Sequence, residues 1–335
     1  MDTGSSTRRS NQSNISHIIY DMPYWTGTGS PCPSFSWKEV KSLGTFLQQT
    51  INGLSLGSVY ALIAVGYSLV YSILLFSNFA HGGFLVIGGY ICYFALRSLG
   101  VSIWIAGGLS LIGAGFSAVL TEKLAYKPIR ERTNITLYLL IASMGMSIVI
   151  ENLFVIIAGG RFRALPPVIP THPVHIFGLA TTSAFDLLSL VAAVVFLGAL
   201  QLFLIRTKWG LAIRAAAYDL KTAGLMGVNV SLLISIVFFV AGFLAAVGGI
   251  FLSVRYTLYP QLGAITIKAF VAAVIGGLGS LPGAVIGSLI LGLAEMLTAG
   301  FISSQFRDLV VFSLLIITLL IRPQGLFGKD ISEKV

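Results

Sequence analysis

Residues 53–76 read GLSLGSVYALIAVGYSLVYSILLF and carry no charge. A helix needs about 20 mainly apolar residues to cross a bilayer core, so this run spans one. Others follow at 84–98, 101–121, 135–158, 186–205, 231–254, 266–279, 282–299 and 307–321. The pair 266–279 and 282–299 is split only by GSLPG. Within lipid, only helices satisfy their own backbone one segment at a time. The fold class expected is therefore an all-α, polytopic membrane bundle with eight to nine crossings. The choice between eight and nine turns on the short segments, which can be half-helices. Composition agrees: 56% of the residues are hydrophobic and 10% charged, against roughly a quarter charged in soluble domains.

The connections carry the charge. Segment 121–134, TEKLAYKPIRERTN, holds Lys123, Lys127, Arg130 and Arg132. Segment 206–230 holds Arg206, Lys208, Arg214 and Lys221, and the chain after 321 holds Arg322, Lys329 and Lys334. Basic loops stay in the cytoplasm, which puts these three and the C-terminus inside. Loop 159–185, with only Arg161 and Arg163, falls outside, and a nine-crossing count satisfies every basic loop. The net charge of +9 then needs no nucleic acid. Cys32 and Cys92 are too few for a disulfide framework. The four histidines are scattered and form no metal-ligand spacing, so no metal is expected. Residues 1–42 are rich in Ser, Thr, Asn, Gly and Pro and are expected to be a polar, disordered leader. The permease body is expected over 43–325, with a cytoplasmic tail over 326–335.

Polar and flexible positions interrupt the spans. NFAHGGFLVIGGY (78–90) places Asn78, His81, Gly82 and Gly83 at the head of the short second segment. Unwound backbone there, with a helix N-terminus, favours a carboxylate. The alternative is that Asn78 and His81 cap a helix and hold a packing contact. GGLGSLPG (276–283) cannot be one regular helix through Pro282. Gly276, Gly277, Gly279, Pro282 and Gly283 are therefore expected to form a broken-helix hinge. FLVIGGY (84–90) is similar to FVAAVIGGLG (270–279), each preceding a turn and another apolar segment, which hints at an internal repeat. Elsewhere the glycines permit close helix packing. Intramembrane charges are few: Glu151, the deepest, is expected to have a partner. Glu295 lies four residues from the end of its span. Lys268, Arg307 and Asp308 lie near span ends, within reach of the interface. No acidic relay recurs along one helix, which disfavours a proton-driven pump.

Between two spans, WGLAIRAAAYDLKTAGLMGVNVSLL (209–233) reads as an amphipathic helix. A small, Ala-rich run comes first, then Asp219 and Lys221, then an apolar stripe, with Gly227 at the C-cap position. Such a helix lies on a membrane surface or docks in a partner's groove.

Four stretches together resemble the inner-membrane permease subunits of ATP-binding-cassette importers for branched-chain amino acids. They are residues 52–90, RAAAYDLKTAGLMGVNV (214–230), residues 243–297 and LLIRPQGLFGK (319–329). Together they cover most of 44–329; residues 1–40 have no counterpart. The resemblance implies a bacterial multi-pass inner-membrane protein that performs no covalent chemistry and binds no cofactor. ATP is used by partners, in keeping with the lack of a GxxxxGK[ST] loop. Implied partners are a second, related permease subunit, two cytoplasmic ATPase subunits and an extracytoplasmic solute-binding protein. The resemblance makes 214–230 the ATPase-coupling helix. Its matching positions are Ala215, Ala216, Asp219, Thr222, Ala223, Gly224, Leu225, Met226 and Gly227. Leu225 and Met226 supply an apolar knob, and Asp219 caps or pairs. The candidate translocation path is Asn78, His81, Gly82 and Gly83. Permeases for urea or short amides are the alternative within the class. An ion-coupled secondary carrier, or a scaffold without transport, lies outside it.

Overall fold

In the computed structural model the described residues are 37–133, 135–166, 173–176 and 180–328. The leader expected over 1–42 falls mostly on residues outside them, as do Lys329 and Lys334. Among the described residues the helices are α1 (Trp37–Leu74), α2 (His81–Ser98), α3 (Ile103–Thr121), α4 (Lys127–Arg132), α5 (Thr136–Ala158) and α6 (Ala184–Arg206). They continue as α7 (Lys208–Tyr218), α8 (Leu220–Leu225), α9 (Val230–Tyr256), α10 (Thr266–Gly276), α11 (Leu281–Phe301) and α12 (Arg307–Ile321). The loop after α5 adds a hairpin of β1 (Pro173–Ile176) and β2 (Ala180–Ser183), antiparallel, with Pro173 opposite Ser183.

Every apolar run read from the sequence is helical. Seven helices among the described residues are long and apolar enough to cross a membrane. α2 and α10 fall short of that measure, which rests on length and composition alone, so it does not return the expected eight to nine crossings. The basic stretch 121–134 is also mostly helical rather than a loop. α3 continues through a π-helical turn, Glu122–Tyr126, into α4. The wider turn sits just ahead of Pro128, whose ring and missing N–H a regular helix does not accommodate.

α1 is buried without a break from Ser55 to Val70. Its small residues explain how other helices reach it. A Cβ on Gly53 would lie 2.9 Å from Leu293 Cα, and one on Gly57 would lie 2.8 Å from Ser288 O. α1 and α11 thus meet backbone to backbone, the close approach that small residues permit in lipid. α2, α3 and α9 form a second such group, with Gly88 on Ala246, Gly249 on Leu85, and Gly242 on Ala114 and Ala118. Gly107 and Gly108 have no heavy atom within 4 Å of a built Cβ, so packing does not explain them. α5 and α12 lie at the periphery, with Ile156 82% and Leu320 79% exposed. Apolar faces of that extent are those of a protein in lipid or against a partner.

Glu122 and Asp186, inside the bundle, are each paired. Glu122, fully buried, accepts from Arg130 at 3.1 Å and from Ser235 Oγ at 3.2 Å. Asp186 accepts from Ser55 Oγ at 2.8 Å and from Arg255 at 3.3 Å, tying α6 to α1 and α9. Each pair meets the requirement that a charge removed from water find a partner.

Candidate functional site

Three features are built around breaks in the helices. The first lies at the head of α2. Residues 75–80 are not helical, and Leu75 closes α1 with φ 53°, donating its N–H to Tyr71 O at 2.9 Å. Asn78 sits in this unwound stretch. Its Oδ1 accepts from the Tyr126 hydroxyl at 2.8 Å and from the Ala80 N–H at 3.2 Å. His81, Gly82 and Gly83 lie instead in the first turn of α2, which corrects the expectation of unwound backbone across all four. His81 is fully buried, and its Nε2 lies 3.1 Å from Ile63 O. A carbonyl only accepts, so Nε2 carries the hydrogen. Tyr67 and Phe84 meet the ring edge-on.

A cavity of about 210 Å³ opens beside this turn, between α1, α2, α5, α10 and the 3-10 turn Pro260–Ile265. Gly82 and Gly83 line it; Asn78 and His81 do not. The structure thus divides the four candidate path residues into two that face open space and two held behind them by hydrogen bonds. Both glycines are close approaches. A Cβ on Gly82 would lie 2.5 Å from Gly263 O, and one on Gly83 would lie 2.7 Å from Ile150 Cδ1. Glu151 and Thr266 also line the cavity, and the sequence did not place either beside Gly82.

The second feature is the break at 276–283. α10 stops at Gly276, and Gly277 (φ 107°) and Gly279 (φ 84°) occupy the left-handed region that favours glycine. Ser280 then caps α11, accepting from the Gly283 N–H at 3.3 Å. Pro282 falls in the first turn of α11, where its missing N–H leaves no helical bond unmade. Gly276 and Gly283 face each other so closely that a Cβ on either would strike the other's carbonyl. The C-terminal segment closes the break. Leu326 N–H donates to Ile275 O and Phe327 N–H to Gly276 O, both at 2.9 Å. These donors satisfy carbonyls that the end of α10 leaves without helical partners. The likeness of FLVIGGY to FVAAVIGGLG does not extend to structure. α2 runs on through Gly88 and Gly89 to Ser98, because both glycines are packed on α9 rather than placed at a turn.

The third feature is the segment between α6 and α9. It is two helices, not the one expected. Asp219 leaves helical geometry (φ −151°, ψ 111°) and caps α8, accepting from the Lys221 N–H at 2.9 Å and from the Thr222 hydroxyl. The Thr222 hydroxyl bond, with the N–H groups of Thr222 and Lys221, holds the Asp219 carboxyl below its usual range. Gly227 (φ 90°) ends α8, and Asn229 caps α9 through the Leu232 N–H at 3.1 Å. Ala216 and Ala223 are buried against the bundle, whereas Ala215, Asp219, Thr222 and Gly227 are exposed and Gly224 is intermediate. Leu225 is 88% and Met226 82% exposed, so two apolar side chains stand clear of the bundle. A cavity of about 720 Å³ lies between α7 (Arg214, Tyr218), the helix break (Gly279, Ser280) and the C-terminal segment (Pro323, Phe327).

Other pairings were not legible in the sequence. Lys268 Nζ lies 2.9 Å from Glu295 Oε1 and 2.8 Å from Asp308 Oδ1, so it bridges α10, α11 and α12 rather than reaching to the interface. Glu151, expected to be paired, has no hydrogen-bond or ion-pair partner among the described residues. No group of three or more His, Cys, Asp or Glu among them is placed to hold a metal.

Long apolar helices packed through glycine around a partly polar cavity, with an exposed two-helix segment beyond them, define an all-α, multi-pass membrane bundle. The family described as the branched-chain amino acid transport system permease component matches residues 49–319, and the chain belongs to it. It is a transport subunit rather than an enzyme. It is 39% identical over 306 residues to the high-affinity branched-chain amino acid transport system permease protein LivH of Escherichia coli K12, covering 87% of this chain and 98% of that one. Pseudomonas aeruginosa BraD, a permease protein of the same description, is 37% identical over 305 residues with the same coverage. A probable branched-chain amino acid transport permease protein LivH of Methanocaldococcus jannaschii is 27% identical over 287 residues, covering 82% of this chain and 90% of that one.

Proposed function

We propose that this chain is the permease subunit of an ATP-binding-cassette importer that moves branched-chain amino acids into the cytoplasm by alternating access. Separate subunits supply the energy. The observation that carries the reading is the exposed Leu225–Met226 knob, held between the Asp219 cap and Gly227. An apolar pair held clear of the bundle on a short capped helix suits a groove on an ATPase. The remaining partners are a second, related permease subunit, a second ATPase and an extracytoplasmic solute-binding protein. The basic segments 121–134 and 206–230 and the C-terminal segment face the cytoplasm under the positive-inside rule, on the side where an ATPase docks. Residues 43–325 form the permease body, flanked by the leader and tail.

In this reading ATP binding draws the coupling segments together. α7 and α8 then press on the helix break and the C-terminal segment across the large cavity. Gly276, Gly277, Gly279, Pro282 and Gly283 form the hinge, since two of them already hold backbone that other residues rarely adopt. Coupling requires two states with different contacts at each site, and an interrupted helix supplies an element with more than one packing. Gly82 and Gly83 line the solute path, and Asn78 and His81 fix the turn behind them.

Uptake in a strain deleted for this chain tests the reading. Radiolabelled leucine uptake is expected to be lost and to return with the wild-type chain, but not with Leu225→Asp/Met226→Asp made at equal membrane level. Uptake that persists without the ATPase subunits and collapses with the ion gradient supports the secondary carrier instead. Urea uptake without leucine uptake supports the amide permease.

A further inference from the structure

The cavity beside the first turn of α2 contains groups that neither packing nor capping accounts for. Glu151 is the one charged residue lining it and has no partner among the described residues. Thr266 lines it too, 6% exposed, and its Oγ1 is buried without a hydrogen-bond partner. A buried hydroxyl left unpaired carries a desolvation cost that native structures rarely leave unmet. Thr266 Oγ1 is also beside Gly82, only 3.1 Å from where a Cβ there would stand. The N–H of Gly82, a first-turn donor of an 18-residue helix, has no acceptor among the described residues. The rest of the wall is largely apolar, with Val86, Ile150, Ile267 and Phe270.

One kind of solute fits this division of charge. A carboxylate without a partner attracts a cation, and unpaired donors at a helix N-terminus attract an anion. Apolar side chains between them accept a branched aliphatic group. We infer that the permease itself reads its solute here as a zwitterion, with Glu151 taking the ammonium and Thr266 and the Gly82 N–H taking the carboxylate. Gly82 is then required twice, for close approach to Gly263 and for an N–H open to the solute. This inference rests on the amino-acid importer reading. Urea, which carries neither charge, forms no ion pair with Glu151.

The test uses the whole importer in membrane vesicles with the solute-binding protein at saturation, and L-leucine as the probe. Glu151→Gln and Thr266→Val are each expected to lower leucine uptake per assembled complex by about tenfold or more. ATP hydrolysis stimulated by the loaded binding protein is expected to persist, and Glu151→Asp is expected to restore part of the uptake. A merely structural role would reduce the amount of complex and spare the rate per complex. Uptake within twofold of wild type for both variants overturns the inference. If Glu151→Gln does not assemble, Thr266→Val decides alone by the same criterion. A wild-type importer that carries urea and not leucine overturns the importer reading, and the inference with it.

Discussion

Lys268 Nζ sits 2.9 Å from Glu295 Oε1, so the short α10 is tied by charge to α11. Glu295 is 1% exposed and also accepts from the Tyr60 hydroxyl at 3.1 Å, while Asp308 on α12 shares the same ammonium at 2.8 Å. Replacing Lys268 by Met leaves a buried carboxylate with one neutral donor. Fully buried pairs lose about 3–5 kcal/mol when one partner goes. The Lys268 side chain is 21% exposed, so about 2 kcal/mol is expected here. Thermal unfolding of the detergent-solubilised chain measures it. Lys268→Met combined with Glu295→Gln is expected to recover part of the loss.

Gly276→Ala drives a methyl group into the Gly283 carbonyl and is expected to destabilise by about 1–3 kcal/mol, as overpacking does. Gly108→Ala meets no atom within 4 Å and gains up to about 1 kcal/mol of helix propensity. Melting temperatures of the two variants, taken side by side, are expected to move in opposite directions.

His81→Ala removes a buried ring and its bond to Ile63 O. A cost of about 2–4 kcal/mol is expected from the cavity and the lost hydrogen bond. Because the ring does not line the path cavity, leucine uptake per assembled complex is expected to stay near wild type. A large drop in that rate at full assembly would place His81 in contact with the solute.

Asp219 titrates below its ordinary range because the Thr222 hydroxyl and nearby N–H groups favour the charged form. Its cap is thus fully formed above the ordinary aspartate pKa of about 3.9. The contribution fades as pH falls through the lower, folded value. Amide protection at Lys221 and Thr222, relative to the intrinsic exchange rate at each pH, is expected to fall across that acid window. Asp219→Asn is expected to remove the pH dependence while keeping a cap, since Asn caps nearly as well.

How much of this was legible from sequence depends on the range of the interaction. The apolar runs 53–76 and 231–254 announce helices because a bilayer demands length and apolarity of each segment separately. Pro282 and its neighbouring glycines announce a break because proline acts on its own backbone. Asp219 was read as a possible cap, but the split into α7 and α8 was not, since the Ala-rich run before it favours continuing the helix. The approach of Gly82 to Gly263, the three-way charge at Lys268 and the open carboxylate of Glu151 join residues 27 to 181 positions apart. No local pattern encodes such meetings. α2 and α10 separate the sequence count from the helix measure because α10 has only 11 residues, while α2, with 18, carries His81, Arg97 and four glycines among its apolar positions.

The hydrogen bonds from Leu326 and Phe327 to the end of α10 also set an order of assembly. Some fifty residues of chain must be made after Gly276 before Leu326 is available. Until then the Ile275 and Gly276 carbonyls lack these donors, and a buried backbone group left unpaired costs about 1–3 kcal/mol. Every nascent copy therefore passes through a stage in which its helix break is unsealed. A copy cut short before Leu326 stays in it, so the protein carries in its own backbone a mark that separates finished chains from unfinished ones.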